Sequence, residues 1–238
     1  MRAKEMISMR DTLQITWHGH SCFTLNNGKW ILALDPYDSA MIGYPPLKIE
    51  AHAILCSHQH GDHNYRAAVR LLPADPALVL RKRPADPDAP PPSDPAGFEY
   101  LTVETWHDEA GGRKRGRNTV HVIRANGLCI VHLGDLGHIL DPGQITQIGR
   151  PDLLLVPVGG YYTIDAAAAC EVIKQLRPVN VAPMHYRGGS GKLPIADVDP
   201  FIRLMSGQWQ INRLSGPSWD LSSQSKGQCC VFQNRTAE

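Results

Sequence analysis

Alternating apolar and polar positions mark the first strands of this chain. Residues 13–17 alternate as a half-buried strand does. Two later pairs of apolar runs are each separated by a short segment that contains an Asn-Gly pair. These pairs are residues 22–25 with 30–34, and residues 119–124 with 128–133. Because Asn-Gly is a preferred hairpin turn, the pattern predicts two β-hairpins.

Further apolar runs predict a mixed α/β protein. Single strands are predicted at residues 53–57, 77–80, 98–105, 152–158 and 179–184, with an edge strand at residues 229–232. Helices are predicted at residues 65–72, 165–176 and 197–205. Asp165 is expected to cap the second helix, and Pro178 to end it. Groups of strands with helices between them favour sheets packed face to face, with the helices outside.

The segment Ser57-His58-Gln59-His60-Gly61-Asp62-His63 directly follows an apolar strand. Its three imidazoles and one carboxylate are the nitrogen and oxygen ligands that a borderline-soft divalent metal prefers. The alternative is a solvated polar loop. The density of ligand types immediately after a buried strand favours the metal site.

Metal-type side chains recur where other predicted strands end. They are Asp35, His58, His107, Asp135 and His185. A single histidine at a strand end is usually an ordinary loop residue. Because strand ends of packed sheets can converge on one rim, five such residues predict one site assembled from five segments.

Composition narrows the functional classes. The 238 residues are 42% hydrophobic, and their formal net charge is +1. They are expected to form one domain over residues 1–238. Residues 84–97 are expected to form an exposed Pro-rich loop within it. The charge balance gives no reason to expect nucleic acid or an anionic membrane surface as a partner. The six cysteines form no CxxC pair, so a thiolate zinc knuckle is not expected. No apolar stretch is long enough for a signal peptide or a membrane span, so a reduced cytoplasmic location is expected. The oligomeric state is not predicted.

Four positions of the histidine segment match the HxHxDH motif of the metallo-β-lactamase superfamily: His58, His60, Asp62 and His63. Three further segments resemble the branch that contains ascorbate-6-phosphate lactonase-like and other poorly characterised hydrolases. They are Trp17-His18-Gly19-His20-Ser21-Cys22-Phe23, His132-Leu133-Gly134-Asp135-Leu136-Gly137-His138 and Pro183-Met184-His185-Tyr186. The resemblance covers residues 13 to about 205 and implies an α/β fold, a four-layer αβ/βα sandwich.

The resemblance also implies a two-metal centre. His58, His60 and His107 would hold the first ion; Asp62, His63 and His185 would hold the second; Asp135 would bridge them. His107 alone has the alternative of a plain surface histidine. Zinc is the expected metal, with manganese and iron as alternatives. Redox members of the family have a glutamate where this chain has His60, so hydrolysis is favoured over electron transfer.

The expected activity is attack by a metal-bound hydroxide on a small ester, lactone or phosphodiester, with Asp62 and Asp135 as the catalytic carboxylates. The alternatives are a nuclease, disfavoured by the near-zero net charge, and a non-catalytic metal-binding regulator, disfavoured by the complete set of seven ligand-type residues. β-Lactamase activity is not expected, since fold does not fix substrate.

Six more residues are candidates for supporting or substrate-binding roles. Asp35 matches an early aspartate of the family that supports the metal loop, with an ordinary Asp-Pro turn as the alternative. His20 is a support or a core histidine, and His138 and Tyr162 are candidates for lining the cleft. Arg117 and Asn118, in a basic segment after His107, are expected to bind an anionic group of the substrate, with a solvated turn as the alternative.

Overall fold

The computed structural model describes residues 12–83 and 97–233. Its strands are β1 (Thr12–Gly19), β2 (Cys22–Asn26), β3 (Ile31–Leu34), β4 (Ile49–Ala51), β5 (Ala53–Leu55), β6 (Val69–Leu71), β7 (Leu80–Lys82), β8 (Phe98–Trp106), β9 (Arg117–Ala125), β10 (Leu128–His132), β11 (Leu153–Pro157), β12 (Asn180–Met184), β13 (Gln210–Arg213), β14 (Ser218–Ser222) and β15 (Gln228–Val231). Its α-helices are α1 (Ser39–Ile42), α2 (Pro76–Val79), α3 (Pro142–Ile148), α4 (Ala166–Leu176) and α5 (Asp199–Met205).

Two large sheets form the centre of the molecule. One has five strands in the order β14-β1-β2-β3-β5, and the other has eight in the order β13-β15-β12-β11-β10-β9-β8-β7. Their facing side chains form one hydrophobic cluster, which includes Ile15 and Phe23 from the first sheet and Ile123 and Leu154 from the second. Burial of these apolar faces against each other is the main force that holds the sheets together.

Helices and a small sheet cover the outer faces. Asp165 caps helix α4, since its side chain accepts a hydrogen bond from the Ala168 amide, and the helix buries Val172 and Ile173. On the outer side of the five-stranded sheet, a second hydrophobic cluster includes Cys22 and Ile42 and receives side chains from the two-stranded sheet of β4 and β6. The result is a four-layer αβ/βα sandwich.

Strand direction brings the predicted site residues to one edge. Strands β3 and β5 are parallel, as are β10, β11 and β12. Strand β8 is antiparallel to β9, which is antiparallel to β10, so β8 and β10 run the same way. The carboxyl ends of β8, β10 and β12 therefore lie at the same edge of the large sheet.

Three sequence-based predictions of elements are wrong. Residues 77–80 are not a strand: Asp75 caps a helical turn that begins at Pro76, and β7 starts only at Leu80. Residues 65–72 form a 3₁₀ turn (Arg66–Ala68) and then β6, which pairs with β4. Strand β15 is not an edge strand, because β13 pairs with its outer side. Residues 84–96, most of the predicted Pro-rich loop, lie outside the described residues.

Candidate metal centre

Asp35 anchors the histidine segment from beneath. It follows β3 with a left-handed backbone (φ 45°), which turns its side chain under the segment. Its carboxylate accepts hydrogen bonds from the Ser57 amide at 2.7 Å and the Ser57 hydroxyl at 2.6 Å. It also lies 2.7 Å from Nδ1 of His63. A buried carboxylate with three partners fixes the segment's backbone and one of its imidazoles.

The hydrogen bonds determine which nitrogen each imidazole presents. Because the Ser57 hydroxyl donates to Asp35, it accepts from Nδ1 of His58 at 2.9 Å. Nδ1 of His63 donates to Asp35, and Nδ1 of His107 donates to the Tyr162 carbonyl at 3.1 Å. All three imidazoles therefore donate a hydrogen bond through Nδ1, which leaves Nε2 as the nitrogen available to a metal.

Asp135 lies at the centre of the presented nitrogens. Its Oδ1 is 3.0 Å from Nε2 of His63, and its Oδ2 is 3.1 Å from Nε2 of His107, 3.4 Å from that of His185 and 3.8 Å from that of His58. Its side chain is only 1% exposed. One carboxylate within reach of four imidazoles has the position that a bridging ligand requires.

The backbone of Asp135 is fixed by Asn118 and Gly134. The Asn118 side chain accepts a hydrogen bond from the Asp135 amide at 2.9 Å and donates to Thr105 and to the Leu133 carbonyl. Gly134 has φ 55°, and a Cβ there would lie 2.4 Å from Oδ1 of Asn118. Only glycine fits, since both the conformation and the close approach exclude a side chain.

The potential ligand atoms form three overlapping groups, in each of which all atoms lie within 4.8 Å of one another. The groups are His58-His60-His107, His20-Asp62-His63-His185 and His58-His63-Asp135. The structure thus brings all seven expected ligands together. Asp135 lies between the group of His58, His60 and His107 and the group of Asp62, His63 and His185. His20 belongs to the latter group, and the sequence did not predict it as a ligand.

Several of these buried atoms have no hydrogen-bond partner. They are Nε2 of His20, His58, His63 and His185, and Oδ1 of Asp135. Although His63 and Asp135 are close, their atoms are not aligned as a hydrogen bond. Buried polar atoms are normally paired, so an orphaned group of this kind needs an explanation. A divalent ion accepts lone pairs from imidazole and carboxylate, and these residues fit it.

Burial and mutual charge shift the ionisation of the group. Burial, with the nearby His63, lowers the pKa of His58 to about 3, which keeps this imidazole neutral. Burial alone raises the pKa of Asp135, but His185 and His63 hold it well below its usual range. Burial alone lowers the pKa of His63, but Asp135 and Asp35 hold it well above the usual value. Neutral imidazoles and ionised carboxylates are the forms that bind metals, so an ion that binds His63 would displace the second proton of this imidazole.

The predicted role of Arg117 is wrong. Its guanidinium is exposed, 3.4 Å from the Glu104 carboxylate. Neighbouring residues of a strand point to opposite faces, and Asn118 points inward to Asp135, so Arg117 points away from the centre. Asn118 is buried and holds the Asp135 backbone rather than facing a substrate.

His138 and Tyr162 contribute through their hydrogen bonds. Nε2 of His138 accepts from the Trp106 amide at 3.2 Å, and its Nδ1 lies 2.8 Å from the Ile139 carbonyl. His138 thereby supports the end of β8, beside His107, and its predicted place as a cleft residue is not supported. Tyr162 holds His107 through its carbonyl, while its ring lies 5.6 Å from the guanidinium carbon of Arg115.

Sequence reasoning missed three supporting residues. Ser57 orients His58, as described above. Asp108 accepts hydrogen bonds from four backbone amides of the following loop: those of Ala110, Gly112, Lys114 and Arg115. Arg115 donates to the Tyr161 carbonyl at 2.9 Å. The signal for Ser57 and Asp108 was their adjacency to a predicted ligand, and the signal for Arg115 was its place in the basic segment with Arg117.

The architecture and the ligand set agree with known proteins. The protein-family model described as a β-lactamase superfamily domain matches residues 14–185, which include every candidate ligand described above. The chain belongs to the metallo-β-lactamase superfamily of metal-dependent hydrolases. A UPF0173 metal-dependent hydrolase of Thermoplasma acidophilum is 31% identical over 191 residues, which cover 74% of this chain and 84% of the relative. The family predicted from the sequence is confirmed.

Solved structures of other proteins show the same fold. A candidate zinc-dependent hydrolase of the metallo-β-lactamase superfamily from Thermotoga maritima is 32% identical, with a TM-score of 0.65, covering 93% of this chain and 100% of that one. A metallo hydrolase of Ignicoccus hospitalis, 23% identical, has a TM-score of 0.60 over 90% of this chain and 100% of its own. No helix in the described ranges, 12–83 and 97–233, has the length and apolar character to span a membrane.

Proposed function

We propose that this protein is a two-metal hydrolase of small esters, lactones or phosphodiesters. The observation that carries the proposal is the position of Asp135, one buried carboxylate within 3.8 Å of the presented nitrogens of His58, His63, His107 and His185. His58, His60 and His107 would hold one ion, and Asp62, His63 and His185 the other, with zinc as the expected metal and manganese or iron as alternatives. When bound, the ions would lower the pKa of a water molecule and polarise the substrate's reacting oxygen.

The surrounding residues would set the geometry of this reaction. Asp35 and the Tyr162 carbonyl fix the planes and tautomers of His63 and His107. Asn118 and Gly134 hold the bridging carboxylate where it reaches both groups. Such preorganisation removes the cost of rearrangement during reaction, which is the main contribution of a protein to a metal site.

We further propose that the substrate carries an anionic group that Arg115 binds. Its guanidinium donates to the Tyr161 carbonyl and lies against the Tyr162 ring, and the Tyr162 carbonyl holds His107. Asp108 fixes the loop that carries it. A guanidinium uses five N–H donors in all, so one hydrogen bond to the backbone leaves it able to pair with a carboxylate or phosphate.

Metal analysis joined to a substrate screen tests the proposal. The protein is purified without chelators, its zinc, manganese and iron contents are measured, and lactones, phosphodiesters and thioesters are assayed beside oligonucleotides. We expect two ions per chain and turnover of a small substrate. Asp220→Asn is a matched control for carboxylate variants, since Asp220 is exposed on β14. Saturation at one ion would contradict the two-metal centre, and activity on oligonucleotides alone would favour the nuclease.

A further inference from the structure

His20 lies in the metal centre although it follows β1 and belongs to neither predicted set of three ligands. Its Nε2 is 3.4 Å from Oδ2 of Asp62. Together with Asp62, His63 and His185 it forms a group whose ligand atoms all lie within 4.8 Å of one another. Its ring centroid is 4.1 Å from that of His185 and 5.1 Å from that of His63.

The orientation of His20 is held by the chain around it. Its carbonyl accepts hydrogen bonds from the Trp17 indole at 2.9 Å and from the His185 amide at 3.1 Å. Its backbone is left-handed (φ 53°), a conformation that costs energy for a residue with a side chain. Glycine or asparagine would adopt this turn more easily, so the backbone alone does not explain a histidine here.

The contact between the His20 side chain and the Asp62 carboxylate, at 3.4 Å, does not have the alignment of a hydrogen bond. His20 is 1% exposed, and its Nε2 makes no aligned hydrogen bond. Leaving such a buried polar atom unpaired is unfavourable. Nε2 of His20 lies in one group with the ligand atoms of Asp62, His63 and His185. This position is explained if His20 binds the ion that those three residues would hold.

We propose that His20 is a direct ligand of the second ion, an inference that rests on the proposed two-metal centre. The second ion then has the donors His20, Asp62, His63 and His185, with Asp135 beside them. Four of these five side chains are fully or almost fully inaccessible to solvent: His20, His63, Asp135 and His185. In the first group, by contrast, His60 is exposed.

The extra ligand makes the two sites unequal. Closed sites with a full set of protein ligands hold an ion in place, whereas a catalytic site keeps a position open for water or substrate. The group of His58, His60 and His107 is then the open one, and the group with His20 is the closed one. We therefore expect the second ion to bind more tightly than the first.

Cobalt(II) binding to the chelator-treated protein tests the inference without an activity assay. Two variants remove the imidazole and tolerate the left-handed backbone: His20→Asn and His20→Gly. Asparagine places no polar atom where Nε2 was. The control is His18→Asn, the same change on β1, where Nε2 of His18 lies 2.9 Å from the Thr24 hydroxyl. Circular dichroism and thermal unfolding of the metal-free variants establish that each one folds.

Two readouts are expected to change. In proton NMR of the cobalt protein, the hyperfine-shifted imidazole N–H signals should decrease by one in both His20 variants and stay unchanged in His18→Asn. The affinity for the tighter ion should fall by more than the roughly 10–100-fold that loss of a residue supporting a ligand costs. An unchanged signal count in folded His20 variants would overturn the inference.

The same titration separates this inference from the two-metal proposal. If the wild-type chain binds only one cobalt ion, the two-metal centre is wrong. The role of His20 is then decided by the signal count of that one ion. A count lowered by one in His20→Asn supports His20 as its ligand, and an equal count rejects it.

Discussion

Nδ1 of His63 lies 2.7 Å from Oδ2 of Asp35, and neither side chain is exposed to solvent. The same carboxylate accepts hydrogen bonds from the Ser57 amide and hydroxyl, so Asp35, at the end of β3, fixes the backbone of the histidine segment that follows β5. Because the parallel strands β3 and β5 are neighbours, this contact is built into the sheet. The relationship couples the stability of the fold to the geometry of the metal centre.

Asp35→Asn should weaken metal binding about 10–100-fold, the usual effect of losing a residue that orients a ligand. The neutral side-chain amide has only one accepting oxygen, so it cannot replace the carboxylate in all three hydrogen bonds, to the Ser57 amide, the Ser57 hydroxyl and Nδ1 of His63. The His63 tautomer is then no longer fixed. Competition with a chromophoric chelator measures the affinity. Asp220→Asn is the control, and an affinity equal to that of the wild type would contradict the role of Asp35.

Asp135→Ala and Asp62→Ala should each lower turnover by orders of magnitude while the fold is retained. Asp135→Ala removes the group nearest to four imidazoles, and Asp62→Ala should reduce the bound metal from two ions to one. Turnover of a confirmed substrate and elemental analysis measure the two effects, with circular dichroism as the check on folding. Wild-type turnover in either variant would show that its carboxylate has no part in catalysis.

Asn118→Ala should destabilise the protein by about 1–3 kcal/mol, because the Leu133 carbonyl and the Asp135 amide lose buried hydrogen bonds. Turnover should fall as well, since the Asp135 carboxylate loses its support. Urea unfolding measures the stability. Asn212→Ala, on β13, removes a side-chain hydrogen bond to Gln228 far from the centre and serves as control. Equal stability of the two variants would show that the buried hydrogen bonds of Asn118 stabilise the protein no more than the bond of Asn212 on β13.

Arg115→Ala should raise KM for anionic substrates roughly tenfold or more, with little effect on neutral analogues of equal size. Arg117→Ala should change neither, because Arg117 pairs with Glu104 in solvent. The two variants differ by two positions in the same basic segment, so each is the control for the other. If Arg117→Ala has the larger effect, the structural assignment of the anion-binding residue is wrong.

The metal-free protein should lose stability in acid. The pKa values of Asp35, Asp62 and Asp135 are all held below the usual range of aspartate, against the opposing effect of burial, mainly by the nearby histidines. A carboxylate with a lowered folded-state pKa stabilises the fold above its unfolded pKa of about 4, and this stabilisation is lost as the pH falls through the folded value. Urea midpoints between pH 7 and pH 3 measure the loss.

The acid effect should be smaller in Asp35→Asn, which lacks one of the three carboxylates. His63 acts in the opposite sense: its raised pKa stabilises the metal-free fold below about pH 6.5 and ceases to do so as the pH rises through the folded value. A urea midpoint that stays constant from pH 7 to pH 3 would show that these aspartates titrate alike in the folded and unfolded chain.

The sequence alone determined the family, the fold class and the ligand candidates. The HxHxDH motif from His58 to His63 could be recognised in the sequence because its residues lie on one short segment and are therefore close together in space. The strand-end positions of His107, Asp135 and His185 followed from apolar patterns of the kind that a buried strand requires. The single domain and the cytoplasmic location stay predictions from composition.

Tertiary structure decided what depends on contacts between distant segments. The contact of Arg115 with Tyr161 and Tyr162 depends on how Asp108 folds the loop, and the outward direction of Arg117 depends on which face of β9 points inward. The place of His20 in the second group depends on a left-handed turn whose carbonyl is held by Trp17 and His185. Likewise, Asn118 supports Asp135 only because β8, β9 and β10 are neighbours. Such relationships are set by strand register and packing, which residue patterns along one chain do not specify.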